Sequence, residues 1–266
     1  MSISSTLVHR AEIRFIEAAD ALRPYVGCFW VVTAKRGATI RVVPDGSTAI
    51  SIQVQKDRSS GWLLRGPLVQ PEERRFTSPA TLIGVRLRPG VAFLVSGIPA
   101  HAMVGRRVRL SDLPAFHAIA SEEPLSRTPA QYVDVLQRLL IARLQNANMH
   151  PVVARALCEI ERAGGCLRVA EIAAECGVSP RHLNRLMRVW VGYGPKCFGR
   201  VVRFQATLKQ MEQSPSRSGA ALASETGYFD QAHLTLDVAR LAGATPGHLA
   251  SRSVADFSKT RCEGPL

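Results

Sequence analysis

Basic and amide side chains are concentrated in the stretch P-R-H-L-N-R-L-M-R, which begins at Pro180. Residues three or four positions apart share one face of an α-helix, so these side chains would project together. Arginine and asparagine make bidentate hydrogen bonds to guanine and adenine edges in the major groove of DNA. We therefore predict that this helix exposes a face suited to DNA bases, formed by Arg181, His182, Asn184, Arg185 and Arg188. The alternative is an amphipathic helix whose basic face is simply solvated.

The surrounding residues predict a helix-turn-helix from 169 to 187. Ile172 and Ala173 fall at the spacing of one apolar helix face. Gly177 then interrupts the helix where a sharp turn needs positive φ. Ser179 is a favourable N-cap, and Pro180 suits the first position of a second helix because its missing N–H costs nothing there.

Charge supports a polyanionic partner. The chain of 266 residues has a formal charge of +13 and a pI near 10.3. Residues 1–150 and 151–266 contribute +8 and +5, so net charge alone does not locate a site. Between Cys176 and Met211 there is no acidic residue but seven basic ones, which makes this run the better indicator of a DNA interface.

The layout is repeated further along the chain. A second turn glycine, Gly227, follows Gly177 by 50 residues, with Phe229 as the expected plug and Asp230 as the expected N-cap. A helix over 195–211, about 25 Å long, would join the two units. This duplication predicts two recognition helices entering successive major grooves about 34 Å apart.

Residues 168–249 resemble the DNA-binding domain of the AraC/XylS family of transcriptional regulators. The shared motifs are I-A-x-x-x-G-V-S-x-R-x-L-x-R, G-x-G-P, G-Y-F-D-Q-A-H-L and G-A-T-P. The first half resembles a subgroup of the same family through V-V-P-D-G-S-T-A-I and an R-R-V-x-L-S-D-L stretch at 106–113. The resemblance implies a sequence-specific DNA-binding transcriptional regulator, with a front domain that senses a ligand or dimerises.

The resemblance also assigns roles to individual residues. Base contacts are expected from Arg181, Asn184, Arg185 and Gln231. Phosphate or auxiliary contacts are expected from Ser179, His182, Arg188, Lys196, Arg200, Arg203 and His233.

The second unit departs from the family pattern. The family usually has arginine in place of Leu236, an aromatic residue in place of Val238 and a basic residue in place of Ala239. Asp237, if it were exposed, would repel phosphates. We therefore expect the first unit to supply most of the specificity, with the second acting as a weak clamp or a protein contact.

The first half has the pattern of an antiparallel β-domain. We expect an α+β protein with a β-rich, barrel- or sandwich-like domain with flanking helices over 1–146 and an all-α double helix-turn-helix domain over 150–252. Residues 1–23 are expected to be weakly helical. The predicted strands are 25–33, 38–43, 47–55, 61–65 and 81–87, and the predicted helices are 89–96, 99–104, 111–120, 129–145 and 150–164. The Pro44-Asp45-Gly46 turn is expected to be structural rather than ligand-binding.

Several classes of function are disfavoured. Neither a signal pattern at the N-terminus nor an 18-residue apolar run occurs, which predicts a cytoplasmic protein without a membrane span. The six cysteines form no CxxC pair, so reduced thiols are expected. The histidines of the first half are scattered and no catalytic motif is present, so we predict no enzyme, no cofactor and no metal.

Two alternatives stay open beside a sequence-specific regulator. One is a nonspecific DNA-binding or protein-interaction module with an eroded second unit, and the other is a metal-dependent enzyme of the β-domain. The predicted partner is double-stranded DNA. A small-molecule effector, a second copy of the chain and RNA polymerase are further candidate partners.

Overall fold

The structure is a computed structural model that describes residues 6–56, 58–116, 128–214 and 216–251. An antiparallel sheet with helices forms the first part, and helices alone form the second. The protein is thus of the α+β class, as the sequence predicts.

Eight strands form one antiparallel sheet in the described part of the first half. The order along the sheet is β1-β2-β7-β3-β5-β8, with β4 paired to β3 and β6 paired to β2. The strands are β1 (Thr6–Ile16), β2 (Val26–Val42), β3 (Thr48–Gln55), β4 (Arg58–Ser59), β5 (Leu63–Arg65), β6 (Glu72–Arg75), β7 (Ala80–Leu87) and β8 (Arg107–Arg109).

The helical prediction for residues 1–23 is wrong. Residues 6–16 form β1, which pairs with β2 so that Ile13 lies opposite Val32 and Phe15 opposite Trp30. In A-E-I-R-F-I, half-buried apolar residues alternate with the exposed Glu12 and Arg14, which is the period of a strand. A short 3-10 turn, Asp20–Leu22, is the helical element of this stretch.

The predicted break at Lys35-Arg36-Gly37 does not separate two strands. One strand, β2, continues through it, and Gly37 takes a φ of +77° while its N–H donates to the carbonyl of Phe76. Opposite this point the β1–β2 register shifts between His9 and Ala11. The glycine allows a local distortion of β2, while β1 and β6 pair on either side of it and keep the strand continuous.

In the described ranges, two helices and several 3-10 turns accompany the sheet. They are α1 (Val91–Ser96), α2 (Pro129–Leu144) and the turns Ala100–Met103, Leu110–Asp112 and Pro114–Phe116. The predicted helix 99–104 and the described part of the predicted helix 111–120 are therefore 3-10 turns, and residues 117–127 lie outside the described ranges. The apolar stripe of α2 contributes Tyr132, Leu136 and Leu140 to the main core, with Phe29 and Ile50 of the sheet.

Seven helices form the described part of the second half. They are α3 (Pro151–Arg162), α4 (Val169–Glu175), α5 (Pro180–Val191), α6 (Pro195–Gln213), α7 (Gly219–Glu225), α8 (Gln231–Ala242) and α9 (Pro246–Ser251). The first half of α6 packs in a core with α3, α4 and α5, and its second half packs in a core with α7, α8 and α9. One long helix thus joins two helix-turn-helix units, as the sequence predicts.

The two halves contact each other at several places, and two of these contacts fix α5 and α6. Phe93 of α1 packs against Trp190 near the end of α5, with ring centroids 4.7 Å apart. At the second place, Val43 joins the core of the second helix-turn-helix, and the Nε2 of Gln205 donates to the carbonyl of Pro44 at 2.7 Å. The helical half is therefore held by the end of α5 and by the middle of α6. Within the described ranges, no helix is both long and apolar enough to cross a membrane.

Candidate nucleic-acid interface

The first helix-turn-helix forms from local signals at its turn. Gly177 has a φ of +65°, and the N–H of Val178 donates to the carbonyl of Ala173 at 3.0 Å. The hydroxyl of Ser179 accepts the N–H of His182 at 3.2 Å, which satisfies one free donor at the start of α5. The predicted turn and N-cap are thus both present.

The recognition helix α5 has a buried face and a basic face. Leu183 and Met187 are fully buried, and Leu186 is nearly so. The predicted contacts Arg181, Asn184, Arg185 and Arg188 are all exposed. His182 is half-buried, with its Nδ1 3.4 Å from Nη2 of Arg185. The spacing of α5 therefore directs its hydrogen-bond donors to solvent.

A cleft lies where the beginnings of α5 and α6 meet. Four predicted DNA-contact residues line it: Arg181, Asn184, Lys196 and Arg200. Asn184 packs so closely on Gly194, the N-cap of α6, that a Cβ atom there would overlap the amide oxygen. The partial positive charge at the start of this 19-residue helix adds to the charge of the basic side chains. The arrangement is suited to a phosphate of the DNA backbone.

The second helix-turn-helix has the same turn, but the predicted plug was wrong. Gly227 has a φ of +75°, and Asp230 caps α8 by accepting the N–H of His233 at 2.7 Å. Phe229 does not plug the turn, because it is 93% exposed, whereas Tyr228 is buried. The N–H of Tyr228 bonds to Ala223, as that of Val178 bonds to Ala173. The offset of 50 between the turn glycines identifies Tyr228 as the equivalent of Val178.

The recognition helices themselves are offset by 51, because α5 begins at Pro180 and α8 at Gln231. One extra residue, Phe229, therefore stands between the second turn and its helix. At this offset Asp237 is equivalent to Leu186, a core position, and Leu236 is equivalent to Arg185. The carboxylate thus occupies an inward-facing position, and the leucine an outward-facing one.

Asp237 is buried and cannot repel phosphates from the surface as the sequence suggested. Arg200 of α6 binds it with two hydrogen bonds, from Nη2 to Oδ1 at 2.5 Å and from Nε to Oδ2 at 3.3 Å. Its hydrogen bond with Asp237 raises the pKa of Arg200 above the ordinary value. Arg200, a predicted phosphate contact, is therefore engaged inside the protein.

Two more of the predicted contacts support the second turn. Nη1 of Arg203 donates to the carbonyl of Gly227 at 3.4 Å, and its guanidinium lies over the ring of Tyr228. Nδ1 of His233 lies 3.5 Å from the N–H of Phe229. Burial, followed by the charge of Asp237, raises the pKa of Tyr228 to about 12. These contacts stabilise the turn, so they compete with any use of Arg203 and His233 toward DNA.

The outer face of α8 is chemically unlike that of α5. Gln231 and Ala232 are exposed, and Leu236 is 71% exposed. The sequence indicated that Leu236 replaces the arginine usual in the family, but not that Phe229 would add a second large exposed apolar group. The first recognition helix therefore presents several hydrogen-bond donors and the second mainly apolar side chains.

Within the described ranges, no group of three or more histidine, cysteine, aspartate or glutamate residues could hold a metal ion. The described cysteines form no disulfide, and Cys28 is buried in β2. The candidate site is thus a surface of arginine, asparagine and lysine side chains.

Two parts of the chain match families of known proteins. A family described as a helix-turn-helix domain matches residues 172–252. A family described as a domain of unknown function (DUF6597) matches residues 14–109.

Two curated relatives are named as HTH-type transcriptional regulators. One is GlxA of Rhizobium meliloti (strain 1021), 31% identical over 198 residues, with coverage of 70% of this chain and 54% of the relative. The other is Rv1931c of Mycobacterium tuberculosis, 29% identical over 85 residues, with coverage of 32% of each chain. The chain thus spans about half and about a third of the lengths of these relatives.

Among solved structures, ToxT from Vibrio cholerae is similar with a TM-score of 0.45 and 9% identity, over 92% of this chain and 98% of that one. A structure described as wild-type ToxT with bound unsaturated fatty acid has a TM-score of 0.43 and 12% identity, over 93% and 95% of the two chains.

Proposed function

We propose that this chain, which belongs to the AraC/XylS family, regulates transcription by binding operator DNA sequence-specifically through two recognition helices. One observation carries the proposal. The exposed face of α5 presents Arg181, Asn184 and Arg185 together, and α6 joins that helix to a second unit of the same construction. The relatives are named as transcriptional regulators, which favours a binding protein over an enzyme.

Base contacts are assigned to Arg181, Asn184 and Arg185, with Gln231 contributing from α8. Arginine and asparagine in these positions would discriminate guanine and adenine through paired hydrogen bonds. Exposure of all four side chains supports this assignment.

Phosphate contacts are assigned first to Arg188 and Lys196. Both are exposed, and no described residue is hydrogen-bonded to either side chain. Ser179 and His182 lie at the start of α5, where they position the helix for docking. Arg200, Arg203 and His233 are assigned auxiliary roles, because their internal contacts leave them fewer donors for DNA.

We infer that the two recognition helices contribute unequally. Hydrogen-bond donors are concentrated on α5, whereas Leu236 and Phe229 dominate the exposed side of α8. The first unit would then supply most of the base discrimination, and the second would add a weaker contact.

A nonspecific DNA-binding or protein-interaction module is the second candidate. The same exposed Phe229 and Leu236 favour it, because they replace the donors that base recognition by α8 would need. Nonspecific binding would depend on phosphates alone and would fall steeply with salt.

The first half, residues 1–146, is assigned the role of a sensor for a small-molecule effector, and residues 150–252 form the proposed DNA-binding domain. The cavity within its sheet supports this assignment. Action in the cytoplasm, a homodimer and contact with RNA polymerase stay predictions from the sequence.

The experiment is a binding assay with DNA from upstream of the protein's own gene, against a scrambled duplex, over a series of salt concentrations. Preferential binding near physiological salt, with protection over two helical turns, would support docking of both helices. Protection over one turn would support specificity from α5 alone. Equal, salt-sensitive binding to both duplexes would overturn sequence-specific recognition.

A further inference from the structure

A cavity of about 120 Å³ lies in the first half, lined by residues of all the strands except β4. Its apolar wall includes Phe15, Trp30, Val32 and Leu82. An engineered apolar cavity of about 150 Å³ binds benzene, so this space fits a compact organic group of five or six carbons.

The other end of the cavity carries an excess of positive charge. Four arginines and two carboxylates line it: Arg65, Arg74, Arg86, Arg107, Asp45 and Glu72. Glu72 is paired with Arg107, and Asp45 is paired with Nη2 of Arg86 at 3.0 Å.

Arg65 and Arg86 leave unused capacity for an anion. Burial lowers the pKa of Arg65, and the charges of Asp45 and Glu72 oppose that shift. Nη1 of Arg86 is buried and finds no acceptor among the described residues. Since Asp45 balances only one of two guanidinium groups, an added carboxylate would complete both the charge balance and the hydrogen bonding.

The turn that carries Asp45 also contacts the helix that joins the two helix-turn-helix units. The carbonyl of Pro44 accepts a hydrogen bond from Gln205 of α6, and Gly46 packs against the ring of Phe198 of α6. The turn from Pro44 to Ser47 is therefore both a wall of the cavity and a support for α6.

We propose that this cavity binds a small carboxylate with an apolar body, and that binding changes DNA affinity through the Pro44–Ser47 turn and α6. The effect on DNA affinity, which is the second part of this proposal, rests on the proposed function. A ligand that fixes Arg86 fixes its partner Asp45, and with it the contacts of the turn to Gln205 and Phe198. Because coupling between two sites is reciprocal, DNA must change ligand affinity by the same factor.

The test uses the full chain with cyclopentanecarboxylate as the probe and cyclopentanecarboxamide as its uncharged control. Calorimetry should give an affinity for the carboxylate at least about tenfold above that for the amide, since a paired charge is worth more than a neutral hydrogen bond. Arg65→Met should lose this preference while keeping the Asp45–Arg86 pair. Ser51→Leu, which fills the cavity without removing a charge, is the second variant if Arg65→Met does not fold.

Coupling is then measured as the ratio of the DNA dissociation constants with and without saturating carboxylate. In the wild type, the carboxylate should change the DNA dissociation constant by a factor of at least about three. In Gln205→Leu, which should still bind the carboxylate, the ratio should be close to one. Equal affinity for carboxylate and amide, or no binding of either, overturns the site. An unchanged ratio in Gln205→Leu overturns the route through the turn.

Failure of the proposed function gives a different result. In that case no specific DNA complex forms, whereas the carboxylate still binds the wild type and not Arg65→Met. That result overturns the coupling and supports the ligand site.

Discussion

Arg200 on α6 is bound to Asp237 on α8 through both carboxylate oxygens, with Nη2 2.5 Å from Oδ1 and Nε 3.3 Å from Oδ2. Asp237 stands where the first unit has Leu186, so an ion pair replaces an apolar contact at the equivalent place. The pair fixes the second recognition helix on the helix that joins the two units.

Removing one member of this pair should destabilise the fold. Arg200→Met leaves the buried Asp237 carboxylate unpaired and should lower the free energy of unfolding by about 2–4 kcal/mol. The double variant Arg200→Met/Asp237→Leu restores an apolar contact and should recover most of that loss. Urea unfolding of the two single variants and the double variant measures this. Two single variants within about 0.5 kcal/mol of wild type would show that the pair is not structural.

Arg188 should act on DNA affinity rather than on stability. Its exposed guanidinium is free to contact a phosphate, so Arg188→Ala should reduce the slope of log affinity against log salt by about one. Arg162→Ala, which removes an exposed arginine of α3 paired with Glu159, is the matched control and should leave the slope unchanged. Equal effects of the two substitutions would argue against a phosphate contact by Arg188.

Base discrimination should differ between the two recognition helices. Arg185→Ala should cost about 1–3 kcal/mol in binding and relax the preference at one base pair. Gln231→Ala should cost clearly less, because the exposed neighbours on α8 are mainly apolar. Competition binding with single-base variants of the operator measures both. Losses of the same size from the two substitutions would contradict the asymmetry.

Gly46 should be sensitive to substitution for two separable reasons. Its φ is +79°, and a Cβ atom there would lie 2.7 Å from Cε2 of Phe198. Gly61→Ala is the matched control, because its φ is +68° and no described atom lies within 4 Å of the added Cβ. Gly61→Ala should lower the free energy of unfolding by about 1 kcal/mol, because alanine is strained at positive φ. Gly46→Ala should lower it by more, because the added Cβ also meets Phe198. Thermal unfolding measures the difference, and equal losses would show that the contact with α6 is unimportant.

The ionisation of Asp45 should make the free energy of unfolding depend on pH. Burial raises its pKa, but Arg86, the hydrogen bonds from Ser47 and the charge of Arg65 outweigh burial and hold the pKa below the usual value. A carboxyl with a lowered pKa stabilises the fold above its ordinary pKa, and that stabilisation is lost as the pH falls from about 4.

Asp45→Asn should therefore be less stable than wild type by about 3 kcal/mol at pH 7, and the difference should shrink in acid. Unfolding in urea between pH 7 and pH 3 measures it. Asp134→Asn, at an exposed position of α2, is the control and should show no comparable difference. A constant difference across the range would mean that the charge of Asp45 does not contribute.

The sequence by itself determined the helix-turn-helix units and the face that α5 exposes. A turn glycine, an N-cap such as Ser179 or Asp230 and apolar residues at helical spacing act within a few residues of each other. They specify the same backbone whatever packs around them. The same locality explains why Arg181, Asn184 and Arg185 were predicted as exposed neighbours.

The tertiary structure decided which side chains are engaged inside the protein. The inward position of Asp237 depends on Arg200, 37 residues away, and the outward position of Phe229 depends on Tyr228 filling the core. Likewise, residues 6–16 form a strand because they pair with β2, and the Pro44–Ser47 turn contacts α6 through Gln205. The alternation in A-E-I-R-F-I agrees with a strand, but pairing and packing between distant segments determine all of these outcomes.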